Sequence, residues 1–389
     1  MNNVIFIGLV SFFADLSTEM VYPLIPLYLT TVFGATPALV GVIEGIAESL
    51  ASLLRVFSGY ITDKTRRKKP IAFAGYAAGL VYKLILIIAG SWMGILAARM
   101  IDRFGKGIRT APRDVLVSES CDADKLGHSF GIHKALDMAG SAAGILIAFF
   151  IMKAWNGAYA YKELFLLACI PAVASLFMFI FIRETGEHCE VSEPLHLVQG
   201  FKTLDGRLKL YLAVVFLFTL GNSSNAFLLL KAGYVGFDPA SVILLYFLYN
   251  VVSSVFAVPF GKRSDRIGRK RLLVAGYFIF AIAYAGFAWA PNKAIVIAAF
   301  ALYGIFTAMT AGVERAFVSE IAPKTLKGTM LGLHSTIVGV ALLPASVIAG
   351  ILWNAFGAMV PFAFGAGLSL ASALILMIGL PQKEANGSA

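Results

Sequence analysis

Charged residues are scarce in this chain. They make up 14% of its 389 residues, whereas 59% are hydrophobic, and the mean hydropathy is +0.82. Soluble domains usually carry about 25% charged residues, so too little polar surface is available here to cover a water-soluble globule of this length. The composition therefore predicts a chain whose main solvent is lipid.

Cysteine and the common catalytic motifs are scarce or missing as well. Cys121, Cys169 and Cys189 are widely spaced, lack the pairing typical of metal sites and leave one thiol over from any disulfide. The sequence has no Walker loop of the form Gly-x-x-x-x-Gly-Lys-(Ser/Thr) and no serine on a nucleophile elbow. We therefore expect free thiols, no enzyme, no cofactor, no metal site and no ATP-driven pump.

Basic residues outnumber acidic ones, 32 to 22, giving a net charge of +10. They cluster in short loops between apolar segments, which is the positive-inside pattern of membrane proteins and not a nucleic-acid patch. We expect a lipid bilayer as a partner and no nucleic acid.

Twelve apolar segments are long enough to cross a bilayer as helices, for which about 20 residues suffice. Their approximate bounds are 4–32, 38–61, 70–90, 92–118, 127–154, 161–183, 208–232, 238–261, 271–290, 293–320, 328–355 and 358–380. The polar stretch 184–207 predicts a linker between an N-terminal six-helix bundle, 1–183, and a C-terminal one, 208–389. The first segment has no small-residue cleavage site, so we interpret it as a retained helix and not a signal peptide.

The basic loops alternate along the chain. One side holds Lys64, Arg66, Arg67, Lys68, Lys69, Lys262, Arg263, Arg266, Arg269, Lys270, Arg271, Lys324 and Lys327, and the other little more than Lys153, Lys162, Lys231 and Lys293. This asymmetry predicts that the linker and both termini are cytoplasmic. We expect a multi-pass protein of a bacterial inner membrane.

The two halves of the chain repeat one another. A Gly-Tyr-Ile-Thr-Asp loop begins at Gly59, and a related Gly-Lys-Arg-Ser-Asp loop begins at Gly261, 202 positions later. Val117-Ser-Glu119 likewise matches Val318-Ser-Glu320, and Gly131-Ile-His133 matches Gly332-Leu-His334. A repeat of this length, with several apolar segments in each copy, predicts two homologous membrane bundles.

These loops resemble the signature Gly-x-x-x-Asp-(Arg/Lys)-x-Gly-Arg-(Arg/Lys) of the major facilitator superfamily. The matching residues are Gly59, Asp63, Arg67 and Lys68 in the first copy, with Arg66 where glycine is usual, and Gly261, Asp265, Arg266, Gly268, Arg269 and Lys270 in the second. The resemblance implies an all-α membrane protein with twelve transmembrane helices in two pseudo-symmetric six-helix bundles, acting as a monomeric secondary transporter. It also implies a gating role for the loops together with Arg109 and Arg113.

Within the superfamily, the chain resembles the bacterial drug-efflux, multidrug-resistance-like branch. Arg99 stands where that branch carries an arginine in helix 4, and Gly140-x-x-x-Gly144 stands where antiporters carry a glycine-rich motif, although the proline of that motif is missing. The stretch from Asp102 to Asp114 resembles an uncharacterised bacterial subgroup and names no substrate. The resemblance implies export by antiport.

Ionisable residues deep in a membrane helix cost at least ~2.5–3.5 kcal/mol each, so each needs a partner, a cavity or a function. Three pairs share a helix face at spacing i, i+4, so that each pair can line a common cavity: Asp15 with Glu19, Glu44 with Glu48, and His133 with Asp137. Glu44 and Glu48 suit an outer gate or a solvated wall. His133 suits a proton relay or a hydrogen bond to Asp137.

Helix 4 concentrates charge on one side. An arc of about 140° holds Arg99, Asp102, Arg103, Lys106, Arg109, Arg113 and Asp114. This pattern predicts a helix that faces water or other charged helices. A salt-bridge lattice is the favoured interpretation near the cytoplasmic end, for Arg109, Arg113, Asp114 and Asp63. Proton coupling is favoured nearer mid-membrane, for Asp15, Glu19, Arg103 and Asp137.

Lys83 in the third span is expected to snorkel to the surface. Tyr22, Pro23 and Pro26 in the first span are expected to mark a kink.

The C-terminal half carries a softer set of candidates for the substrate cavity, with aromatic and amide groups that suit a ligand of mixed polarity. They are Asn222, Asn225, Tyr246, Tyr249, Asn250, Glu314, Arg315 and His334.

The sequence thus predicts proton-coupled export of a small molecule by alternating access. Three other substrates remain open: an organic anion, a metal chelate, or a divalent metal ion held by Asp15, Glu19 and His133. A nontransporting membrane sensor is the alternative from another class.

Overall fold

The computed structural model describes residues 2–65, 68–120, 126–155, 158–184, 205–322 and 327–380. All regular secondary structure in these ranges is helical. The helices are α1 (Asn2–Val21), α2 (Ile25–Phe33), α3 (Pro37–Thr65), α4 (Lys68–Ile88), α5 (Trp92–Ser118), α6 (Leu126–Ala154), α7 (Ala158–Phe179), α8 (Gly206–Gly221), α9 (Ala226–Tyr234), α10 (Pro239–Ile267), α11 (Arg269–Trp289), α12 (Lys293–Thr310), α13 (Val313–Ile321), α14 (Lys327–Phe356) and α15 (Val360–Gly379).

Eleven helical segments in the described part of the chain are long and apolar enough to cross a membrane. The 27-residue α5 is of similar length but carries too many charges to count among them on composition. It completes the twelve spans that the sequence predicts. The all-α membrane fold is thereby confirmed.

Three spans are broken helices. Pro23 lies in a 3₁₀ turn, Tyr22–Leu24, that separates α1 from α2, and Pro26 follows it, because proline cannot donate a backbone hydrogen bond. The kink predicted there is confirmed. The spans predicted at 208–232 and 293–320 are broken as well, and the sequence did not predict these breaks. Asn222–Asn225 interrupts the first and Ala311–Gly312 the second, and in the first case short polar side chains compete with the helix for backbone groups.

Helices α1–α7 pack mainly on one another, as do α8–α15. Contacts between the two sets join α3 with α14, α6 with α10, both α2 and α3 with α9, and the 3₁₀ turn Tyr22–Leu24 with α10. The α3–α14 contact is close. A Cβ at Gly41 would lie 2.3 Å from the Ser346 carbonyl oxygen, and Ser49 Oγ donates to the Gly339 carbonyl oxygen at 2.6 Å. The two halves are therefore sealed along much of this pair of helices.

The two ends of the bundle are named here by the loops that lie there. We call the end with Lys68 and Gly268 the signature-loop end, and the end with Gly34 and Asp238 the far end. Gly268 joins α10 to α11 at φ 91°, a conformation that glycine adopts at little cost. Of the predicted signature residues, Arg67 lies outside the described residues, and Gly59, Asp63 and Asp265 are described only as parts of helices. Residues 185–204 of the predicted linker also lie outside the described residues.

Each signature loop is tied to the end of a neighbouring helix in the same way. Lys68 forms an ion pair with Glu119 at the end of α5, and Arg269 pairs with Glu320 in α13 at 2.8 Å. Glu119 and Glu320 are the matched positions of the sequence repeat. The internal duplication is thus visible as a pair of equivalent contacts.

Gly140 and Gly144 set the distance between α6 and α1. A Cβ at Gly140 would lie 2.2 Å from the Phe12 carbonyl oxygen, and one at Gly144 would lie 2.4 Å from the Leu16 carbonyl oxygen. The glycine pair therefore has a packing role, whatever its part in transport.

Replacing Gly140 with alanine is expected to lower the free energy of unfolding by about 1–3 kcal/mol, the usual cost of overpacking a tight contact. The matched control is Gly367→Ala, since a Cβ there meets no atom within 4 Å and alanine favours a helix. Thermal unfolding of the purified variants measures both. Equal melting temperatures for the two variants would contradict the packing role.

Candidate functional site

The charged face of α5 points into the N-terminal half, while Met100 and Phe104 on its other side are 39% and 47% exposed. Arg99 is fully buried and donates two hydrogen bonds to Glu44, from Nε at 2.9 Å and from Nη2 at 2.6 Å. The prediction that α5 faces other charged helices is confirmed. Glu44 is fully buried, so it is not part of a solvated wall.

Asp102 continues this network along α5. Its Oδ2 lies 3.5 Å from Arg99 and 3.8 Å from Arg103, and Arg103 in turn forms an ion pair with Glu48 at 2.8 Å. Buried charges are tolerated when they are paired and hydrogen-bonded. These charged groups form a continuous ladder, which starts in the parts of α3 and α5 nearest the far end. We call it the far-end ladder, and its members are Glu44, Arg99, Asp102, Arg103 and Glu48.

Tyr22 connects the ladder to the C-terminal half. Its ring centroid lies 5.1 Å from the Arg99 guanidinium carbon and 5.3 Å from that of Arg103, and 5.8 Å from the ring centroid of Tyr246 on α10. Both guanidinium contacts are in cation–π range. The sequence marked Tyr22 only as part of a kink. An aromatic side chain at the break of a charged span was the missed signal.

A second charged cluster lies nearer the signature-loop end. Asp15 on α1 and Asp137 on α6 place their carboxyl groups close enough to interact with one another. Arg109 Nη2 lies 3.8 Å from Asp15, and Lys134 Nζ lies 2.5 Å from Asp137. Arg103 was predicted to serve these acids, but in the structure Arg109 is the arginine that contacts Asp15, because α5 turns Arg103 toward α3.

Glu19 and Lys106 lie between the two clusters. Glu19 Oε2 is buried without a hydrogen-bond partner among the described residues, and the carboxyl group faces the Tyr246 hydroxyl. Lys106 makes no ion pair with any described residue, and its charged neighbours are Arg103, Asp15, Glu48 and Glu19. Lys106 was absent from the predicted site, although its place on the charged arc gave the signal.

His133 is held apart from the acids. Its Nε2 hydrogen-bonds to Ser11 Oγ at 2.9 Å, and Ser11 in turn bonds to the Tyr76 hydroxyl at 3.1 Å. The predicted bond between His133 and Asp137 is not found, since Asp137 pairs with Lys134. The described residues contain no group of three His, Cys, Asp or Glu side chains placed to hold a metal ion, so Asp15, Glu19 and His133 do not converge.

Amide and tyrosine side chains of the C-terminal half meet opposite Tyr22. The Tyr303 hydroxyl donates to Asn225 Oδ1 at 2.9 Å and lies 3.4 Å from Asn222 Oδ1. Tyr249 packs between Tyr246 and Tyr303 with its ring tilted against both, at centroid distances of 5.7 and 5.3 Å. Tyr303 was missed because its segment carries no other polar signal at mid-helix. We call Tyr22, Tyr246, Tyr249, Tyr303, Asn222 and Asn225 the tyrosine–amide cluster.

Asn250 borders the tyrosine–amide cluster, and the other predicted cavity residues lie elsewhere. Asn250 Nδ2 donates to the Tyr246 carbonyl oxygen of its own helix at 2.9 Å. His334 stacks on Tyr211 with centroids 6.3 Å apart, and Glu314 faces Tyr277. Arg315 follows Glu314 at the start of α13. The predicted set thus divides into the central cluster and a second group toward the signature-loop end.

Two further basic residues are placed within the N-terminal half. Lys83 is 1% exposed and donates to Thr18 Oγ1 at 3.2 Å, so the prediction that it snorkels is wrong. A polar lining inside the bundle holds its ammonium group in place of the membrane surface. Arg113 pairs with its neighbour Asp114 at 2.8 Å.

The chain is similar to known proteins over nearly its full length. The family model described as Major Facilitator Superfamily matches residues 7–231 and 210–389. The chain belongs to the major facilitator superfamily. It is 36% identical over 381 residues to an uncharacterised MFS-type transporter of Methanocaldococcus jannaschii, covering 96% of this chain and 94% of the relative.

Solved superfamily members share the fold at low sequence identity. The nucleoside transporter NupG superposes with a TM-score of 0.82 at 11% identity, covering 97% of this chain and 98% of NupG. A D-xylose–proton symporter superposes with a TM-score of 0.76 at 17% identity, covering 97% of each chain. As a superfamily member, the chain is a multi-pass membrane protein and a secondary transporter of small molecules.

Proposed function

We propose that this superfamily member couples the movement of a small molecule to protons, and that Asp15 and Asp137 carry the proton. The observation that supports this is the contact between the two carboxyl groups beside Arg109. Two carboxylates in contact cannot both ionise at low cost, so they tend to share one proton. Such a pair is suited to gain and lose a proton as its surroundings change.

Movement of the bundles supplies that change. Asp15 and Asp137 lie on α1 and α6, and α6 also packs against α10 of the other half. All four charged groups lie in the N-terminal bundle, so rocking of the halves leaves their mutual distances unchanged. It changes the contact of α6 with α10 and the access of water to the two acids, and with them the energy of the shared proton. Every group of the far-end ladder has an oppositely charged partner within 3.8 Å, so we assign it a structural role, and we assign the exchangeable proton to the Asp15–Asp137 pair.

We place the ligand between the halves, at the tyrosine–amide cluster. Glu19 faces Tyr246 across this boundary, and Tyr22 contacts the same ring.

In this proposal residues 1–183 and 208–389 are two rocking bundles, 184–207 links them, and the protein acts as a monomer. The seal between α3 and α14 belongs to one end state of alternating access. Export is proposed from the resemblance to the drug-efflux branch.

An organic anion is the second candidate substrate, and Lys106 favours it. This ammonium group has no direct counter-ion among the described residues and lies beside the cluster. A carboxylate or phosphate on the ligand would supply one. Replacing Lys106 with methionine should then weaken binding of acidic ligands at least tenfold, about 1.4 kcal/mol, and leave neutral ligands unaffected. Equal weakening of both classes would reject the anionic substrate.

A ligand screen by thermal shift at two pH values tests the proposed coupling. A ligand that stabilises the wild-type protein should do so to different extents at the two pH values. The difference should disappear in Asp137→Asn and persist in Asp114→Asn, a matched carboxyl that is 45% exposed. A ligand shift that depends on pH equally in all three proteins would place the proton elsewhere.

The proposed cytoplasmic position of the signature-loop end predicts one-sided labelling. Lys262 and Lys293 are both exposed and lie at opposite ends of the bundle. In a protein whose three native cysteines are replaced by serine, Lys262→Cys should react with an impermeant thiol reagent only after the cells are opened. Lys293→Cys should react in cells with a permeabilised outer membrane and an intact inner membrane. The reverse pattern would invert the topology.

A further inference from the structure

A small cavity lies inside the N-terminal half, away from the tyrosine–amide cluster, between α1, α4, α5 and α7. Its lining includes two cationic side chains, Lys83 and Arg109, and the hydroxyl groups of Thr18 and Tyr76, and it contains no carboxylate. The cavity has room for about one water molecule. The site is therefore positive in charge and accepts only a very small ligand.

Gly79 allows both cations to reach the cavity. A Cβ at Gly79 would lie 3.9 Å from Lys83 Nζ and 3.9 Å from Arg109 Nη1. The two nitrogen atoms are consequently no more than twice 3.9 Å apart, and they face the same space. Two like charges at this separation inside a protein repel one another strongly unless a negative charge lies close to both.

The nearby negative charge is shared with other cations, since Asp102 and Asp15 act on Lys83 from beyond ion-pair distance and Asp102 pairs with Arg99 and Arg103. Lys83 makes no ion pair with a described residue, and its hydrogen-bond acceptor is the neutral Thr18 Oγ1 at 3.2 Å. Arg109 lies over the Tyr76 ring at 4.4 Å, and its nearest acid, Asp15, is 3.8 Å away and also faces Asp137. Burying a charge without full compensation is costly.

The hydroxyl groups that line the cavity differ in whether they can donate a hydrogen bond to a ligand there. Ser17 and Ser175 also line the cavity, but they donate to the carbonyl oxygens of Ala168 and Val10, at 2.6 and 2.9 Å. Thr18 accepts from Lys83, so its own hydrogen remains able to donate. Lys83, Arg109 and Thr18 are thus three donors directed at one small space.

We propose that this cavity binds a small monovalent inorganic anion of the chloride class, held by Lys83, Arg109 and Thr18. Carboxylate-bearing and phosphate-bearing molecules are excluded by size. A water molecule fits the space but leaves the two positive charges uncompensated. The proposal does not depend on proton coupling or on the transported substrate.

Equilibrium binding of radiolabelled chloride to the purified full-length protein tests the proposal. The measurement is made in gluconate buffer at constant ionic strength and without any gradient, so its result is separate from that of the transport experiments. We expect saturable binding at one site, together with a melting temperature that rises as chloride replaces gluconate. Wild-type protein with no saturable binding and a melting temperature indifferent to chloride would overturn the proposal.

Two variants locate the site. Lys83→Met should abolish saturable binding. Gly79→Ala should weaken it at least tenfold, because the added methyl group enters the space between the two cations while making only ordinary van der Waals contacts at 3.9 Å. Gly367→Ala is the matched control and should bind as the wild type does. If Lys83→Met does not fold, Gly79→Ala decides, and wild-type affinity in that variant would overturn the proposal.

Discussion

Replacing Glu44 with glutamine is expected to lower the free energy of unfolding by about 3–5 kcal/mol. The substitution leaves the fully buried Arg99 guanidinium without its bidentate partner. Asp102, at 3.5 Å from Arg99, also pairs with Arg103 and cannot replace two short hydrogen bonds. The melting temperature of the purified protein in lipid nanodiscs, with the yield of folded protein, is the measurement.

Glu320→Gln is the matched control for this variant. It breaks an ion pair of the same chemistry with Arg269, but Glu320 is 49% exposed, and surface pairs contribute about 0–1 kcal/mol. The double variant Glu44→Gln, Arg99→Met removes both charges and should recover part of the lost stability. If Glu44→Gln and Glu320→Gln unfold at the same temperature, the far-end ladder is not the structural element described above.

Asparagine at Asp15 or at Asp137 is expected to abolish transport driven by a pH gradient and to leave ligand exchange at equal pH intact. The reason is that either substitution removes the shared proton, whereas the ligand contacts the tyrosine–amide cluster and not this pair. Proteoliposomes containing one variant at a time allow both measurements on the same preparation.

The control for these variants is Asp114→Asn, which removes a carboxyl paired within α5 to Arg113 and should retain both activities. A purely structural acid would behave differently, since its removal strands a base and lowers folding yield. Gradient-driven transport that survives in both Asp15→Asn and Asp137→Asn would contradict the assignment and would turn attention to Glu19, Glu48 and His133.

The fold follows from the sequence to a large extent. Span lengths depend on bilayer thickness, so runs of apolar residues predict them directly, and α5 begins and ends at the predicted residues, Trp92 and Ser118. The breaks in the seventh and tenth spans were not predicted. Neither contains proline, and each is apolar enough overall to count as one span, so hydropathy alone does not show the breaks. In the seventh span the run Gly221-Asn-Ser-Ser-Asn225 was the missed signal, because glycine, serine and asparagine favour turns.

The sequence predicts less well which charged residues form ion pairs with one another. Periodicity places Arg99, Arg103 and Arg109 on one face of α5, which is confirmed, but it does not give the rotation of α5 against its neighbours. That rotation decides that Arg103 contacts Glu48 while Arg109 contacts Asp15. Lys83 is a second example. The sequence around an isolated lysine near mid-helix is the same whether its ammonium group snorkels to the surface or lies buried against Thr18.

The two halves have diverged in chemistry while keeping equivalent loop contacts. The N-terminal half gathers acids and bases, and the C-terminal half contributes hydroxyl and amide groups with aromatic rings. Lys68–Glu119 and Arg269–Glu320 nevertheless hold the corresponding helices of both halves in the same way. This division supports the proposal that ion handling and ligand binding are separated between the halves.

The most direct test of the central claim is a count of protons exchanged on ligand binding. Calorimetric titration of a ligand found in the screen, in two buffers with different ionisation enthalpies, gives this number without a membrane or a gradient. The account predicts a non-zero number for the wild type and for Asp114→Asn, and a number near zero for Asp15→Asn and Asp137→Asn. Binding heats that do not depend on the buffer at any pH in the wild type would contradict proton coupling.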